Sequence, residues 1–223
     1  MAFRLAASVA AMNSAAIALL AMAGVAAAAN WFAVTTARRQ LEWITKPLVM
    51  LLLIGAALAI DTAIPGVRTW FVLALVASLA GDVFLMLEPD RFIAGLSSFL
   101  VAHVAYIVGF GVAGMEPAPA VVVAGVALVA VATIGKRIHA GARARDAALA
   151  APVAAYIAVI SAFLVAAVGS TTAIAAFGAV FFYTSDTILG WNKFVAHLPN
   201  ARISTMSTYH VAQALLVISL VAL

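Results

Sequence analysis

Long apolar stretches alternate with short polar connections along the whole chain. Eight of these stretches reach about 17 or more residues, which lets a helix cross a hydrocarbon layer of roughly 30 Å. They cover 5–29, 47–64, 70–87, 92–115, 118–134, 147–168, 173–191 and 203–223. Polar and helix-breaking residues separate them, as in Glu88-Pro89-Asp90, Glu116-Pro117 and the segment 136–146. The pattern predicts an all-α membrane protein, with residues 1–223 forming one bundle of eight transmembrane helices.

Composition supports this prediction and excludes other classes. The chain is 67% hydrophobic and 9% charged, with a mean hydropathy of +1.19, whereas a soluble domain has roughly 25% charged residues. The pI is near 9.9, but the basic residues are too few and scattered to follow a nucleic-acid backbone. All tryptophans fall at predicted span ends, as an interfacial belt requires: Trp31, Trp43, Trp70 and Trp191. Without cysteine, the chain has no disulfide framework and no thiol nucleophile.

The start of the sequence has two interpretations. Arg4, the apolar stretch and the alanines at 26–29 resemble a cleavable signal peptide. The apolar stretch 5–29 is longer than the roughly 7 to 15 residues of such a segment. We therefore interpret it as the first transmembrane helix, with cleavage as the alternative.

The basic residues predict the orientation in the membrane. Ten of the 12 Lys and Arg lie in the connections after the first, third, fifth and seventh stretches, and only Arg4 and Arg68 lie on the other side. Cytoplasmic loops carry the excess of Lys and Arg. We expect cytoplasmic odd-numbered connections and both termini outside, in the cytoplasmic membrane of a bacterium, since the chain is rich in alanine. Asp82 and Asp186 then lie toward the cytoplasmic end.

The two halves of the chain share a spacing. Pro47 precedes Asp82 by 35 residues, and Pro152 precedes Asp186 by 34. A histidine follows each aspartate further along the chain, at His103 and at His210. Four spans separate the copies, so a parallel 4+4 repeat would place the aspartates facing across the bundle. Short matches in an Ala- and Val-rich chain also arise by chance, and both interpretations stay open.

Two aspartates within predicted spans are the strongest candidates for a functional site. A buried aspartate costs about 2.5 to 3.5 kcal/mol on insertion scales, so an intramembrane carboxylate is a functional-site hypothesis by default. Other polar residues fall in the same half of the membrane or near its middle, and they are predicted to line one pocket open to the cytoplasm: Lys46, His103, Tyr106, Tyr156, Tyr209, His210 and Gln213.

The chemistry of these residues leaves alternatives open. Two carboxyl groups in one apolar pocket resist being ionised together, so one is expected to keep its proton and act as an acid beside a charged partner. Alternatively, Asp82 pairs with Arg91, and Asp186 caps a helix or pairs with Lys193. The histidines could form interhelical hydrogen bonds and the tyrosines could serve packing alone. We expect no metal or cofactor, because no HExxH, G-x-S-x-G, P-loop or GxGxxG motif is present.

The polar residues also lie in recognisable motifs, in order along the chain: Ser78 to Met86, Phe92 to Leu96, Ala102-His103 with Tyr106, Ser185-Asp186 with Asn192-Lys193-Phe194, and Tyr209 to Gln213. Together with Thr45-Lys46-Pro47-Leu48 and Pro152 with Tyr156, they resemble the YhhN-like lysoplasmalogenase family. The resemblance covers the chain from about Lys46 to its end.

This resemblance implies an eight-span enzyme that hydrolyses the vinyl ether bond of lysoplasmalogens. The products would be a fatty aldehyde and glycerophosphoethanolamine or glycerophosphocholine. One of Asp82 and Asp186 would be the general acid, and the other would stabilise the cation and deprotonate water. A lysophospholipid would be the substrate, among membrane lipids, with no protein partner and no nucleic acid. Substrate-binding residues would be Lys46, His103, Tyr106, Tyr156, Asn192, Lys193, Tyr209 and Gln213, with Arg91 as a further phosphate ligand.

Two other classes of function fit the same pattern. A proton-coupled transporter of a small solute would use the same buried aspartates. A non-catalytic lipid-binding protein would survive neutralisation of both aspartates. Hydrolysis by pure protein in detergent, where no gradient exists, would distinguish an enzyme from both.

Overall fold

The computed structural model describes residues 12–87 and 91–223, and these ranges are helical apart from short connections. No strand occurs within them. The α-helices are α1 (Ser14–Thr35), α2 (Arg39–Ala59), α3 (Pro65–Met86), α4 (Phe92–Ala113), α5 (Pro117–Ala130), α6 (Lys136–Arg145), α7 (Ala150–Gly169), α8 (Ala173–Phe194) and α9 (Ala201–Ser219).

The prediction of an all-α membrane protein is confirmed. In the described part of the chain, 7 helical segments are long and apolar enough to cross a membrane. The eighth member of the bundle is α9, which packs against α8, α1 and α2. Its first half is rich in hydroxyl residues, and the helix carries Tyr209, His210 and Gln213 inward. Its mean hydropathy is therefore low although it belongs to the bundle.

The predicted start of the second span is wrong. Helix α2 begins at Arg39, and Pro47 lies inside it. The first two turns are polar, with Glu42 in the first turn, where a negative charge interacts favourably with the helix dipole. Pro47 lacks an N–H and leaves the carbonyl of Trp43 without its intrahelical donor. Hydropathy marks only the apolar part of this helix, so it missed the first eight residues.

The first span also differs from its prediction. Helix α1 runs to Thr35, beyond the predicted end at residue 29, and Asn13 caps its start by accepting a hydrogen bond from the Ala16 N–H at 2.8 Å. Residues 1–11, with the signal-peptide-like start and Arg4, lie outside the described residues. The loop segment Glu88-Pro89-Asp90 also lies outside them.

The predicted connection at 136–146 is helical instead. Helix α5 continues through a π-helical segment, Val131–Gly135, into α6. The basic side chains of α6 are exposed, while Ile138 and Ala142 are buried. Gly141 rests on the backbone of Phe194 at the end of α8. Helix α6 is therefore an amphipathic helix that packs against the bundle. The charge of the segment 136–146 alone cannot distinguish such a helix from a polar loop.

Small residues allow close contact between helices α3 and α4. A side chain at Gly81 would lie 2.7 Å from the Phe99 ring, and one at Gly95 would lie 2.6 Å from Leu85. Glycine at these positions lets the two helices approach closely. Helix α4 also packs against α7, and α9 against α2, as a parallel 4+4 repeat would require; the repeat itself stays a prediction.

The alternation of helix directions brings the polar residues to one end of the bundle. Asp82 lies about one turn, and Asp186 about two turns, before the end of α3 and α8. Lys46, Tyr156 and Tyr209 lie about two turns into the helices that start at that end. The candidate site is therefore assembled from residues far apart in sequence.

Candidate functional site

Asp82 is fully buried and has a cationic partner. Lys46 Nζ lies 3.0 Å from Asp82 Oδ1, and the side chains of both residues are almost completely buried. The Tyr209 hydroxyl donates to Asp82 Oδ2 at 2.8 Å, and Met50 Sδ lies 3.3 Å from the same hydroxyl. Both carboxylate oxygens are thus occupied, and the ammonium compensates the negative charge.

Asp186 has different surroundings. The Tyr156 hydroxyl donates to Asp186 Oδ2. The salt bridges between described residues, Lys46 with Asp82 and Arg202 with Glu42, do not include this carboxyl group. The side chain is partly exposed, and it lies on the wall of an apolar cleft. Leu85, three residues after Asp82 in α3, lines the same cleft as Asp186. Of the two carboxyl groups, only Asp82 has a cation bonded to it among the described residues.

His103 lies beside this site in an aromatic cage. Its ring meets Tyr156, Phe163 and Phe182 at centroid distances of 5.5, 4.9 and 4.6 Å. Neither ring nitrogen of His103 makes a well-formed hydrogen bond within the described residues. The Phe99 carbonyl, one turn earlier in α4, is a weak partner for the ring. The aromatic packing supports a structural role for this side chain.

A second buried polar pair lies deeper in the bundle. The Tyr106 hydroxyl donates to Gln213 Oε1 at 2.6 Å, and both side chains are fully buried. Trp31 Nε1 donates to His210 Nδ1 at 3.1 Å, as the interhelical alternative for this histidine predicts. These contacts join α4 and α1 to α9, so they orient the helix that carries Tyr209.

The apolar cleft opens beside Asp186, and its space, including the open mouth, is about 710 Å³. Its polar side chains are Tyr156, Tyr183, Asp186 and Thr187, and aliphatic and aromatic side chains form most of the remaining wall. They include Leu85, Leu96, Phe99, Ile138, Ile160, Leu189 and Phe194. The cleft is suited to a hydrocarbon chain with a reactive group at one end.

A second cleft, of about 780 Å³, is polar. Its described lining includes Lys46, two arginines, Glu42 and Asn192. Arg202 bonds both oxygens of Glu42, at 3.0 and 2.8 Å. An excess of cations with neutral donors nearby is suited to a phosphate group.

The structure brings most of the predicted site residues together. Lys46 and Tyr209 contact Asp82, so the predicted pairing of Asp82 with Arg91 is wrong. Asp186 bonds to Tyr156 and does not pair with Lys193. Among the described residues no group of three His, Cys, Asp or Glu could hold a metal ion.

Two of the predicted substrate-binding residues are placed differently. Lys193 Nζ lies 4.2 Å from the centroid of the Phe92 ring, which lines the apolar cleft. The lining of neither cleft includes Lys193 itself in the described part of the chain. Asn192 lines the polar cleft, but its side-chain oxygen accepts from the Leu198 N–H at 2.9 Å. This bond holds the turn between α8 and α9.

Part of the polar cleft does not follow from the apolar pattern of the sequence. Arg39 and Glu42 fall between the apolar stretches 5–29 and 47–64, and Arg202 falls just before the stretch 203–223. Arg39, Glu42, Trp43 and Lys46 are spaced by three, one and three residues and line one face of α2. This helical periodicity, extended upstream of Pro47, was the signal that could have identified them.

Comparison with known proteins identifies related sequences. A model of the YhhN family matches residues 41–220. Lysoplasmalogenase TMEM86B of Mus musculus is 35% identical over 158 residues, covering 69% of this chain and 65% of the relative. The Homo sapiens TMEM86B is 33% identical over 149 residues, covering 66% and 61%. Lysoplasmalogenase TMEM86A of Homo sapiens is 31% identical over 182 residues, covering 77% and 72%.

The matches to TMEM86B cover less than two thirds of those relatives, with 65% of the mouse protein and 61% of the human protein. No solved structure matches the chain significantly.

Proposed function

Because the chain belongs to the YhhN family, we propose that it hydrolyses the vinyl ether bond of lysoplasmalogens. The products are a fatty aldehyde and glycerophosphoethanolamine or glycerophosphocholine. The observation that carries this proposal is the asymmetric carboxyl pair: Asp82 is bound to Lys46, whereas Asp186 forms no salt bridge with a described residue and faces an apolar cleft.

Vinyl ether hydrolysis needs a proton donor and a nearby anion. Protonation of the β-carbon gives an oxocarbenium ion, in which the positive charge is shared between the α-carbon and the ether oxygen. Water adds to the α-carbon to form a hemiacetal, which collapses to the aldehyde and the glycerol alcohol. The net reaction consumes one water and needs no redox partner.

Asp186 is the proposed general acid. A carboxyl group without a cation in apolar surroundings favours its neutral form, and the neighbouring charge of Asp82 favours it further. The Tyr156 hydroxyl bonds one oxygen, which fixes the carboxyl group with its other oxygen available to the cleft. After proton transfer, the Asp186 carboxylate is the base for the attacking water.

Asp82 is the proposed permanent anion. Lys46 and Tyr209 bond its two oxygens, and both contacts favour the ionised form. A fixed negative charge near Asp186 favours the cationic transition state over the neutral substrate. Lys46 thus acts through Asp82, as a positioning residue.

The two clefts are proposed to divide the amphiphilic substrate between them. The alkenyl chain lies in the apolar cleft beside Asp186. The phosphate lies in the polar cleft, whose described lining has three cationic side chains, those of Arg39, Lys46 and Arg202, and the carboxylate of Glu42. Tyr106 and Gln213 are buried behind the site and hold α9 in place.

We also propose that the site opens to the cytoplasm of a bacterial cell, with the C-terminal end outside. The exposed basic side chains of α6 and the polar cleft support this orientation. Reporter fusions at Leu223 test it: activity of a periplasmic reporter is expected, and activity of a cytoplasmic reporter would overturn the orientation.

The function is tested by aldehyde release from a lysoplasmenyl-ethanolamine with purified protein in detergent. Wild type is expected to turn over, and Asp186→Asn and Asp82→Asn are each expected to lose about 100-fold or more in kcat. Asn keeps nearly the same shape, and thermal unfolding of each variant serves as the folding control. No turnover by folded wild-type protein would refute the hydrolase and favour proton-flux assays in liposomes.

A further inference from the structure

Two leucines stand between the apolar and the polar cleft. Of the described residues, Leu85 and Leu189 are the pair that line both clefts. Leu85 follows Asp82 by three residues in α3, and Leu189 follows Asp186 by three residues in α8. Residues three apart lie on the same helix face. Each leucine is therefore placed one turn beyond an aspartate, on the side where the polar cleft opens.

The surroundings hold one of these leucines firmly. Gly95 of α4 lies so close to Leu85 that a side chain there would be 2.6 Å from Leu85 Cδ2. The Leu85 side chain is therefore wedged against the α4 backbone and cannot move aside in that direction. A substrate that occupied both clefts would contact Leu85 and Leu189, because these are the described residues that the two linings share.

We propose that Leu85 and Leu189 form a neck that admits one hydrocarbon chain and thereby selects lysolipids. This inference rests on the proposed vinyl ether hydrolysis. In a lysoplasmalogen, the reacting ether joins the alkenyl chain to the glycerol, so the glycerol lies at the neck when the chain fills the apolar cleft. A second acyl chain on the adjacent glycerol carbon would have to occupy the neck as well, and the two leucine side chains exclude it.

The neck also fixes the position of the reacting bond. The chain side of the ether faces Asp186, and the glycerol side faces the Lys46 cleft. A misplacement of the reacting bond by about 1 Å can cost about 100-fold in rate. Leu85 and Leu189 are thus specificity residues that do not take part in proton transfer.

The test compares turnover of a lysoplasmenyl lipid with that of the same lipid carrying an sn-2 acyl chain. In Leu85→Ala and Leu189→Ala, the ratio of kcat/KM for the two-chain lipid to that for the lysolipid is expected to rise at least about tenfold. Leu96→Ala is the matched control: Leu96 is also partly buried and lines only the apolar cleft. Its ratio is expected to stay at the wild-type value.

Milder variants guard against misfolding. Leu85→Val and Leu189→Val remove less volume and are expected to shift the ratio in the same direction by a smaller factor. Two results would refute the proposed neck: an unchanged ratio of the two kcat/KM values in all folded variants of Leu85 and Leu189, or an equal rise of that ratio in Leu96→Ala. Neither result would contradict the proposed hydrolase activity. Absence of lysoplasmalogen turnover in the wild type would instead refute the proposed function itself.

Discussion

The buried pair between Lys46 and Asp82 yields a quantitative prediction about stability. Replacing Lys46 with methionine keeps the length of the side chain but leaves the Asp82 carboxylate buried with only the Tyr209 hydroxyl as partner. Breaking a buried ion pair by removing one partner typically costs about 3–5 kcal/mol, because an uncompensated charge remains. We expect a loss of this size in the free energy of unfolding of Lys46→Met.

A variant that carries both Lys46→Met and Asp82→Asn shows whether the two residues interact or contribute independently to stability. Asp82→Asn alone leaves the ammonium uncompensated and is also destabilising. When both charges are removed together, neither remains unpaired, so the double variant should be more stable than the sum of the single losses predicts. The interaction free energy is expected to be about 2–3 kcal/mol.

The assay is unfolding by SDS from mixed micelles, followed by tryptophan fluorescence. The chain provides its own control in the pair between Arg202 and Glu42, at 2.8 Å, in which the Arg202 side chain is 64% exposed and the Glu42 side chain 12%. Glu42→Gln is expected to cost about 1 kcal/mol or less, because the arginine that loses its partner remains in contact with water. Additive losses in the Lys46 and Asp82 variants would refute the buried pair.

The remaining predictions concern helix packing and the proposed acid. Gly81→Ala should destabilise the protein by about 1–3 kcal/mol, because the new methyl group would lie 2.7 Å from the Phe99 ring; Gly111→Ala, with nothing within 4 Å, should be neutral or stabilising in the same unfolding assay. Tyr156→Phe should lower kcat about 10- to 100-fold, since its hydrogen bond to Asp186 is lost; an unchanged kcat would remove Tyr156 from the site.

Hydropathy predicts much of the fold, and the errors of this prediction at the helix ends have a common cause. Apolar length predicts where a helix crosses the hydrocarbon layer, but it does not predict where the helix begins. Helix α2 extends eight residues upstream of Pro47 in polar sequence, and α5 continues through Val131–Gly135 into the basic helix α6. Both extensions lie outside the apolar stretch, where hydropathy carries no signal.

The sequence predicts which residues form the candidate site, but it does not predict which of them bond to each other. Placement of Asp82, Asp186, Lys46 and Tyr156 at one end follows from the order and direction of the helices. Which aspartate receives the lysine depends on how each helix is rotated about its axis, and the spacing along the chain does not determine this. The cation beside Asp82 is the feature that makes the two carboxyl groups inequivalent, and it emerged only from the structure.

The central claim is that a fixed carboxyl group protonates the β-carbon of the vinyl ether. It is tested most directly by hydrolysis in deuterium oxide, with the aldehyde reduced at once to the alcohol to prevent exchange. The account predicts one deuterium at C2 of the product, delivered to a single face, whereas acid hydrolysis without protein would give both configurations. An aldehyde without deuterium at C2, or with equal amounts of the two configurations, would contradict proton delivery by Asp186.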